Sequence, residues 1–486
     1  MLKKVFKKLR DKLILNAVRE IVHKEISVEI ATAIRQLGEG QSGIATAIRQ
    51  LGEGQSRIGT AICQLGDGQS RIGSAVAELE EKVSLLEKKM FIAEVQNHYR
   101  YVRESILARQ AKGEKLRFVS YVVYDTTYGA HGIVELMLKQ PEKYDVKFVI
   151  CPDVYRDKDF TQYHKTKNYF IEKYGEEYVL DGYDEATGEF LDRSDECDVV
   201  YMANPYDVLV NRVHSVAYLS TKSVLPIFIC YGYVVSKWFC STIEASGEIY
   251  YFYKYFCETS FTKREIDDNY KMPVWNTVVS GYSKMDGLKK TKVITNKRKK
   301  ILLAPHHTVK GLPGELQLSN FLQYFDFILT LPVLYPDVDF VFRPHPLLFT
   351  NLIMHGIWKE EEVENYLDKL RQQKIMYSAE SEYFDVFTDC DAIVHDCGSF
   401  MVEWLYTGKP CCYVVDSERG VRNQLSSLAN FALDNHTCIA NSEKSICQFI
   451  ECVLRGEYPV KISEEVRQKI MVNYPNASSF VLENLL

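Results

Sequence analysis

The spacing of hydrophobic residues changes along this chain, and each change predicts a different kind of structure. Leu2, Val5, Phe6, Leu9 and Leu13 fall on one helical face with lysines opposite, which predicts a basic amphipathic helix within residues 1–29. From Ile30 to Arg71 the sequence then repeats almost verbatim every fourteen residues, the length of two heptads. One register fits throughout, with Ile30, Leu37, Ile44, Leu51, Ile58, Leu65, Ile72, Leu79 and Leu86 at position d. Ile34, Ile48, Ile62, Val76, Val83 and Met90 fall at a, and Gln41, Gln55 and Gln69 form polar a layers.

This pattern predicts a coiled coil over residues 30–93 that assembles a homo-oligomer, with the number of strands left open. Gly38, Gly40, Gly52, Gly54, Gly66 and Gly68 oppose it, since each glycine costs about 1 kcal/mol in a helix interior. The stretch from Ala75 to Met90 is therefore expected to be the firm part, with the upstream repeats looser or broken at the glycines. Fully helical, Ile30 to Met90 would span about 90 Å at 1.5 Å per residue, a stalk long enough to hold a head away from a membrane.

After a helical linker at 94–116, apolar runs alternate with helical periods. Phe118–Tyr124, Val146–Cys151, Cys197–Met202 and Pro226–Cys230 read as strands, and Gly132–Lys139 as a helix. A basic, strand-poor stretch from Lys284 to Lys300 reads as a linker. Further strands follow at Lys300–Ala304, Asp339–Phe342, Asp391–Val394 and Cys412–Val415. The alternation is that of parallel βαβ units, giving an α/β protein with Rossmann-like domains at 117–285 and 301–455, joined by 286–300 and followed by helices at 456–486.

Composition narrows the class. The 486 residues, 46% hydrophobic and 26% charged, suffice for two or three domains with full cores, and the net charge of -6 argues against a nucleic-acid partner. Thirteen cysteines occur without CxxC pairs or metal-ligand spacing, and the adjacent pair Cys411-Cys412 does not suit a disulfide framework. Reduced thiols, no metal and a cytoplasmic setting are expected. The basic leader has no signal-peptide core, no run is long enough to span a bilayer, and each lysine near an anionic surface contributes about 1 kcal/mol. The expectation is a peripheral protein at the inner face of the cell membrane.

The chemistry concentrates in the second domain. The run Asp391 to Glu403 is an apolar strand entering a Gly398-Ser399 turn that opens a helix, whose N–H groups suit an anion. Upstream, Arg343-Pro344-His345-Pro346 ends another strand, and the two prolines hold His345 on a stiff loop. Two such strand ends side by side could grip a diphosphate.

These residues resemble the CDP-glycerol glycerophosphotransferase family, the teichoic-acid-type polymerases and primases of GT-B fold. Arg343-Pro344-His345-Pro346 matches its Arg-x-His-Pro turn, Asp396-Cys397-Gly398-Ser399 its Asp-Tyr-Ser-Ser segment, Glu403 its acidic position and Lys409-Pro410 its Lys-Pro. The resemblance covers about residues 117 to 455 and is strong in the second half. It implies transfer of glycerol phosphate, or another alditol phosphate, from a CDP-linked donor to a hydroxyl of a cell-surface glycan or lipid-linked acceptor, with no cofactor. It also implies His345 as a catalytic group, with Arg343, Asp396, Gly398, Ser399 and Glu403 on the donor. His306 and His307 stand where the family often has Pro-Thr-Trp, lining the cleft. Where many members carry a Trp-His-Gly-Thr segment, this chain reads Cys230-Tyr231-Gly232-Tyr233, which leaves the base open between the first strand end and an acidic acceptor-side residue elsewhere. His131 or Asp125, beside the glycines of the first strand end, are the candidates, with Tyr231 and Gly232 lining the acceptor side.

Two rival readings share the same motifs. One is a GT-B glycosyltransferase using a CMP-sugar of the Kdo or sialic acid type. The other is a coiled-coil scaffold whose head is a non-catalytic nucleotide-binding module.

Overall fold

The computed structural model describes residues 41–204, 206–237, 248–270, 272–288, 298–309, 317–380 and 382–486. The chain divides into two units, Met1–Glu94 and Val95–Leu486. The basic leader at 1–29 and the repeat residues before Gln41 lie outside the described residues.

In the first unit the repeats form part of one helix, Gln41–Gln110, of 70 residues. The break expected at the glycines does not occur at Gly52, Gly54, Gly66 or Gly68, while Gly38 and Gly40 lie outside the described residues. Gly52, Gly59, Gly66 and Gly73 continue the helix, and a Cβ at any of them would meet nothing within 4 Å. The reason is the company they keep: Ala, Leu, Gln, Arg and Glu between them favour the helix, and each residue added to an existing helix gains a hydrogen bond without a new nucleation cost. Ile48, Leu51, Ile62, Leu79, Leu86 and Met90, all a or d positions, are exposed on the single chain.

The second unit begins with the end of that helix, where Tyr99, Val102 and Ile106 are buried. The Tyr99 hydroxyl donates to the Tyr251 carbonyl, His98 Nε2 lies 2.7 Å from the Lys222 carbonyl, and Arg109 pairs with Asp198.

Its first sheet contains β1 (Leu116–Val122), β2 (Tyr144–Ile150) and β3 (Val179–Asp181). A small antiparallel pair follows, β4 (Tyr183–Asp184) and β5 (Glu189–Phe190), then β6 (Val199–Met202), β7 (Leu225–Ile229), β8 (Lys254–Cys257) and β9 (Thr277–Val279). The seven-stranded order is β3-β2-β1-β6-β7-β8-β9, parallel throughout. The second sheet holds β10 (Lys299–Ala304), β11 (Val338–Phe342), β12 (Met376–Tyr377), β13 (Ala392–His395), β14 (Cys411–Val414) and β15 (Cys438–Ala440). Its six strands run β12-β11-β10-β13-β14-β15, also all parallel.

Both sheets are therefore doubly wound, with the order reversing between β1 and β6 in one and between β10 and β13 in the other. Ligands of such sheets bind outside the carboxyl ends of the strands at that reversal. The architecture is the α/β, GT-B-like pair of Rossmann-type domains expected from the sequence.

One buried cluster joins the halves, running from Tyr233, Phe261, Tyr282 and Met285 to Met401, Trp404, Leu428 and Ile470. The C-terminal helix Ala477–Glu483 returns to the first half, where the Asp286 carboxylate accepts the N–H groups of Ala477 and Ser478 at 3.1 and 2.7 Å. The described cysteines are free thiols. Among the described residues no helix is long and apolar enough to cross a membrane.

Candidate functional site

Ala304 pairs with His395 across β10 and β13, so the loops that follow these strands emerge side by side. The first carries His306 and His307, the second Asp396, Gly398 and Ser399. Strand β11 lies on the other flank of β10 and delivers His345, whose N–H donates to the Pro305 carbonyl at 2.9 Å. Three adjacent strand ends thus gather all the histidines that the sequence singled out in this domain.

The three imidazoles form a cluster. Ring centroids are 4.3 Å apart for His306 and His307, 4.1 Å for His307 and His345, and 5.3 Å for His306 and His345. Burial holds all three well below the ordinary histidine range, His307 to about 4 and His345 to about 3, with the neighbouring imidazoles adding to the effect on His306 and His345. They are neutral at pH 7.

Hydrogen bonding also fixes their tautomer. His345 Nδ1 accepts the Leu347 N–H at 3.2 Å. The Asn351 amide nitrogen donates to the His307 carbonyl at 3.0 Å, and the same group lies 3.0 Å from His307 Nδ1, which must therefore accept. His306 Nδ1 accepts the Thr308 backbone N–H at 3.4 Å, and the Thr308 hydroxyl, 2.9 Å away, therefore donates to it as well. With each Nδ1 an acceptor, each neutral ring carries its proton on Nε2.

Ligand atoms of the three rings lie within 4.8 Å of one another, close enough to surround a metal ion. Ligation through Nε2 would require each ring to move that proton to an Nδ1 that is already accepting a hydrogen bond. The tautomers fit an acceptor of N–H bonds, an anion, better than a cation.

Asp396 is sealed in the fold rather than open to the crevice. Its carboxylate accepts the His306 N–H at 2.6 Å and the Asn320 N–H, and burial raises its pKa to about 6. Gly398 opens the helix Gly398–Glu403, and a Cβ there would come within 3.0 Å of Val235 from the other half. Ser399 is half-buried, and its hydroxyl lies 3.7 Å from where a Cβ of Gly232 would stand. Donor-side and acceptor-side candidates thus face each other between the two halves.

Two other candidates lie behind this edge. The Arg343 guanidinium is buried and donates to the Ser378 hydroxyl at 2.7 Å and to the Glu380 carbonyl. The buried Glu403 carboxylate accepts the Tyr383 hydroxyl at 2.6 Å, and burial raises its pKa. Lys409 caps a helix end, its ammonium donating to the carbonyls of Phe387, Thr388 and Cys390 at 2.9, 2.7 and 2.7 Å.

On the first half, Asp125 is buried and accepts the Gln162 amide at 3.1 Å. His131 has both nitrogens against tyrosine hydroxyls, Nδ1 at 2.6 Å from Tyr174 and Nε2 at 3.4 Å from Tyr169, and burial with Lys173 and Lys284 nearby lowers it to about 3. The Tyr231 carbonyl accepts the Tyr282 hydroxyl at 2.6 Å.

Sequence reasoning missed Lys284, Thr308, Asn320, Asn351 and Tyr383. Lys284 sat in a stretch read as linker. The others support histidines or carboxylates through contacts that no local pattern reveals.

No known family model and no curated protein matches this sequence. Among solved structures, the wall teichoic acid polymerase TagF is similar to it with a TM-score of 0.51 and 12% identity, over 81% of this chain and 97% of that one. UDP-GlcNAc 2-epimerases are similar at lower overlap: the Methanocaldococcus jannaschii enzyme has a TM-score of 0.48 and 14% identity, over 76% of this chain and 99% of that one. The Neisseria meningitidis enzyme has 0.46 and 15%, with the same coverage of 76% and 99%. The likeness is one of fold.

Proposed function

We propose that this protein is a transferase that moves glycerol phosphate, or another alditol phosphate, from a CDP-linked donor to a hydroxyl of a cell-surface glycan or lipid-linked acceptor. The observation that carries the reading is the cluster of His306, His307 and His345, each with its proton on Nε2, at the sheet reversal beside Ser399. Neutral N–H donors suit a diphosphate because they bind charge without a permanent counter-charge. They strengthen as negative charge builds on the departing phosphate. In the reaction the acceptor oxygen bonds to the phosphorus that carries the alditol, the bond from that phosphorus to the bridging oxygen breaks, and CMP leaves.

The acceptor hydroxyl must lose a proton. We assign that role to Asp125 rather than His131, because both nitrogens of His131 are held by tyrosine hydroxyls. TagF, whose overall fold this chain shares, has been soaked with CDPG, and that ligand supports a CDP-alditol as the first donor to test. The exposed a and d residues of the long helix support self-association through it, and the basic leader supports an inner membrane surface as partner.

The test is incubation with labelled CDP-glycerol, CDP-ribitol and CMP-sugars. CMP release and label transfer from a CDP-alditol, lost in His345→Ala, are the expected result. Turnover of a CMP-sugar alone would replace this reading with a glycosyltransferase, and binding without turnover of any donor would leave the scaffold reading.

A further inference from the structure

Lys284 occupies an unusual position. It lies in the short turn Ser283–Gly287, which is tied to two strand-end loops of the first half: the Ser283 hydroxyl donates to the Gly129 carbonyl at 2.8 Å, and the Tyr282 hydroxyl to the Tyr231 carbonyl. Asp286, in the same turn, is held by the C-terminal helix. The Lys284 backbone therefore belongs to the first half and is fixed there.

Its ammonium reaches the second half, 4.4 Å from the centroid of the Tyr383 ring. The Arg343 guanidinium lies 5.3 Å from the same centroid. Among the described residues no oxygen is within hydrogen-bond or ion-pair range of the Lys284 ammonium. Tyr383 gives its hydroxyl to Glu403, and Glu382 pairs with Lys173 at 3.7 Å, so the nearby acidic groups are engaged elsewhere. Burial lowers the pKa of Lys284, with Glu403 and Glu382 opposing that shift and Arg343 and Lys173 adding to it.

A half-buried ammonium with three N–H donors and only an aromatic face as partner lacks most of what water would supply. The Arg343 guanidinium lies against the same ring, and Arg343 and Lys173 are both close enough to add their field. An oxyanion with several free acceptor atoms is the group that would complete the set.

We propose that Lys284 is an anion-binding residue between the two halves, placing its ammonium on an oxygen of a phosphoryl group that bridges the cleft. The inference rests on the reading of this cleft as a phosphoryl-transfer site. Two sources offer that chemistry: the diphosphate of the donor, and a phosphate already present on the acceptor. Lys284 would act on either by binding charge directly, without taking or giving a proton.

The experiment uses the full chain with Lys284→Met, which keeps an unbranched side chain against Tyr383, and Lys284→Arg, which keeps the charge. Calorimetry is run with CDP-glycerol and, separately, with glycerol 3-phosphate as the acceptor-type phosphate. Lys284→Met is expected to weaken one of these ligands by about tenfold or more while Lys284→Arg restores most of the affinity. Thermal midpoints should stay at or above wild type, because the methionine removes an uncompensated charge. Loss confined to CDP-glycerol assigns the site to the donor, and loss confined to glycerol 3-phosphate assigns it to the acceptor. If Lys284→Met binds every ligand that wild type binds, and binds each equally well, the proposal is overturned. If wild type binds neither, the transferase reading itself fails.

Amine labelling of the wild-type protein, read at Lys284 by peptide mass spectrometry, covers the case in which the methionine variant does not fold. Protection by whichever phosphate ligand binds is expected, and unchanged labelling would overturn the assignment.

Discussion

The Asp396 carboxylate accepts the backbone N–H of His306 at 2.6 Å. That bond joins the loop after β10 to the loop after β13, the two strands at which the sheet order reverses. Its other oxygen holds the N–H of Asn320. A buried carboxylate facing backbone donors, rather than a ligand, thus sets the distance between the histidine turn and the Ser399 turn.

Asp396→Ala should therefore loosen the site as a whole. It leaves the buried His306 N–H without an acceptor, at about 1–3 kcal/mol, and the part-buried Asn320 N–H at the lower end of that range. Denaturant unfolding should show a loss of that order, and binding of cytidine nucleotides should weaken in parallel. An unchanged unfolding midpoint would mean that the loops do not depend on this carboxylate.

Stability should fall as the solution is acidified from pH 6.5. His307 and His345 have folded pKa values of about 4 and about 3, below the ordinary 6.5, so between those limits the unfolded chain binds more protons than the folded one. Stability then rises with pH across that window, by up to about 1.36 kcal/mol per pH unit for each such histidine. His131, His214 and His436 are lowered in the same direction. Asp396 works the other way, since its folded pKa of about 6 exceeds the ordinary 3.8, and Asp207, Glu258, Asp286 and Glu403, also raised by burial, act in the same direction and offset part of the fall. Urea midpoints at pH 7.5 and 5.5 check this, with His345→Asn expected to show a shallower fall than wild type.

Binding of CDP-glycerol should take up protons. A diphosphate placed against neutral imidazoles favours their charged form and raises their pKa, so affinity should increase as pH falls from 7.5 toward 5.5. Calorimetry in buffers of different ionisation enthalpy reads the proton count directly. Proton release on binding would contradict the arrangement of Nε2–H donors.

Much of this was legible in the sequence, and the misses have physical causes. Strands such as Tyr144–Ile150 and Ala392–His395 lie inside parallel sheets, are buried along much of their length, and announce themselves as apolar runs. Val179–Asp181 and Met376–Tyr377 are short edge strands without full burial, and the apolar runs that mark them, Tyr178 to Leu180 and Ile375 to Tyr377, are only three residues long. His345 stood out because prolines flank it, and Ser399 because a glycine turn precedes it. Lys284 did not, because its environment is made by Tyr383, about a hundred residues away, and by the Gly129 and Tyr231 loops. The helix through the repeats was misjudged at its glycines because a local penalty was weighed without the cooperativity of the residues around them.

Two glycines in the cleft should respond differently to alanine. At Gly129 a Cβ would come within 2.8 Å of the Cys230 carbonyl oxygen and 3.2 Å of the Tyr231 Cα, both backbone atoms that cannot turn aside. At Gly232 the nearest atom is the Ser399 hydroxyl oxygen at 3.7 Å, an ordinary contact. Gly129→Ala should cost about 1–3 kcal/mol by forcing the loops after β1 and β7 apart, whereas Gly232→Ala should leave the fold stable. Equal thermal midpoints for the two variants would contradict the close approach at Gly129.

The helical glycines pose the opposite case. Gly52, Gly59, Gly66 and Gly73 recur every seven residues, each directly after a d-position Leu or Ile, and on the single chain a Cβ at any of them meets nothing. For the isolated helix, alanine at all four should add about 1 kcal/mol of helix stability per site. Circular dichroism at 222 nm during heating reads that gain. Sedimentation of the same variant asks a separate question. If the chains associate with these glycines turned inward, four added methyl groups must be fitted between helices, and association should weaken while helicity rises. If the glycines face outward, the assembly should keep its mass and gain thermal stability, which would place the contact on the opposite flank of the a and d residues.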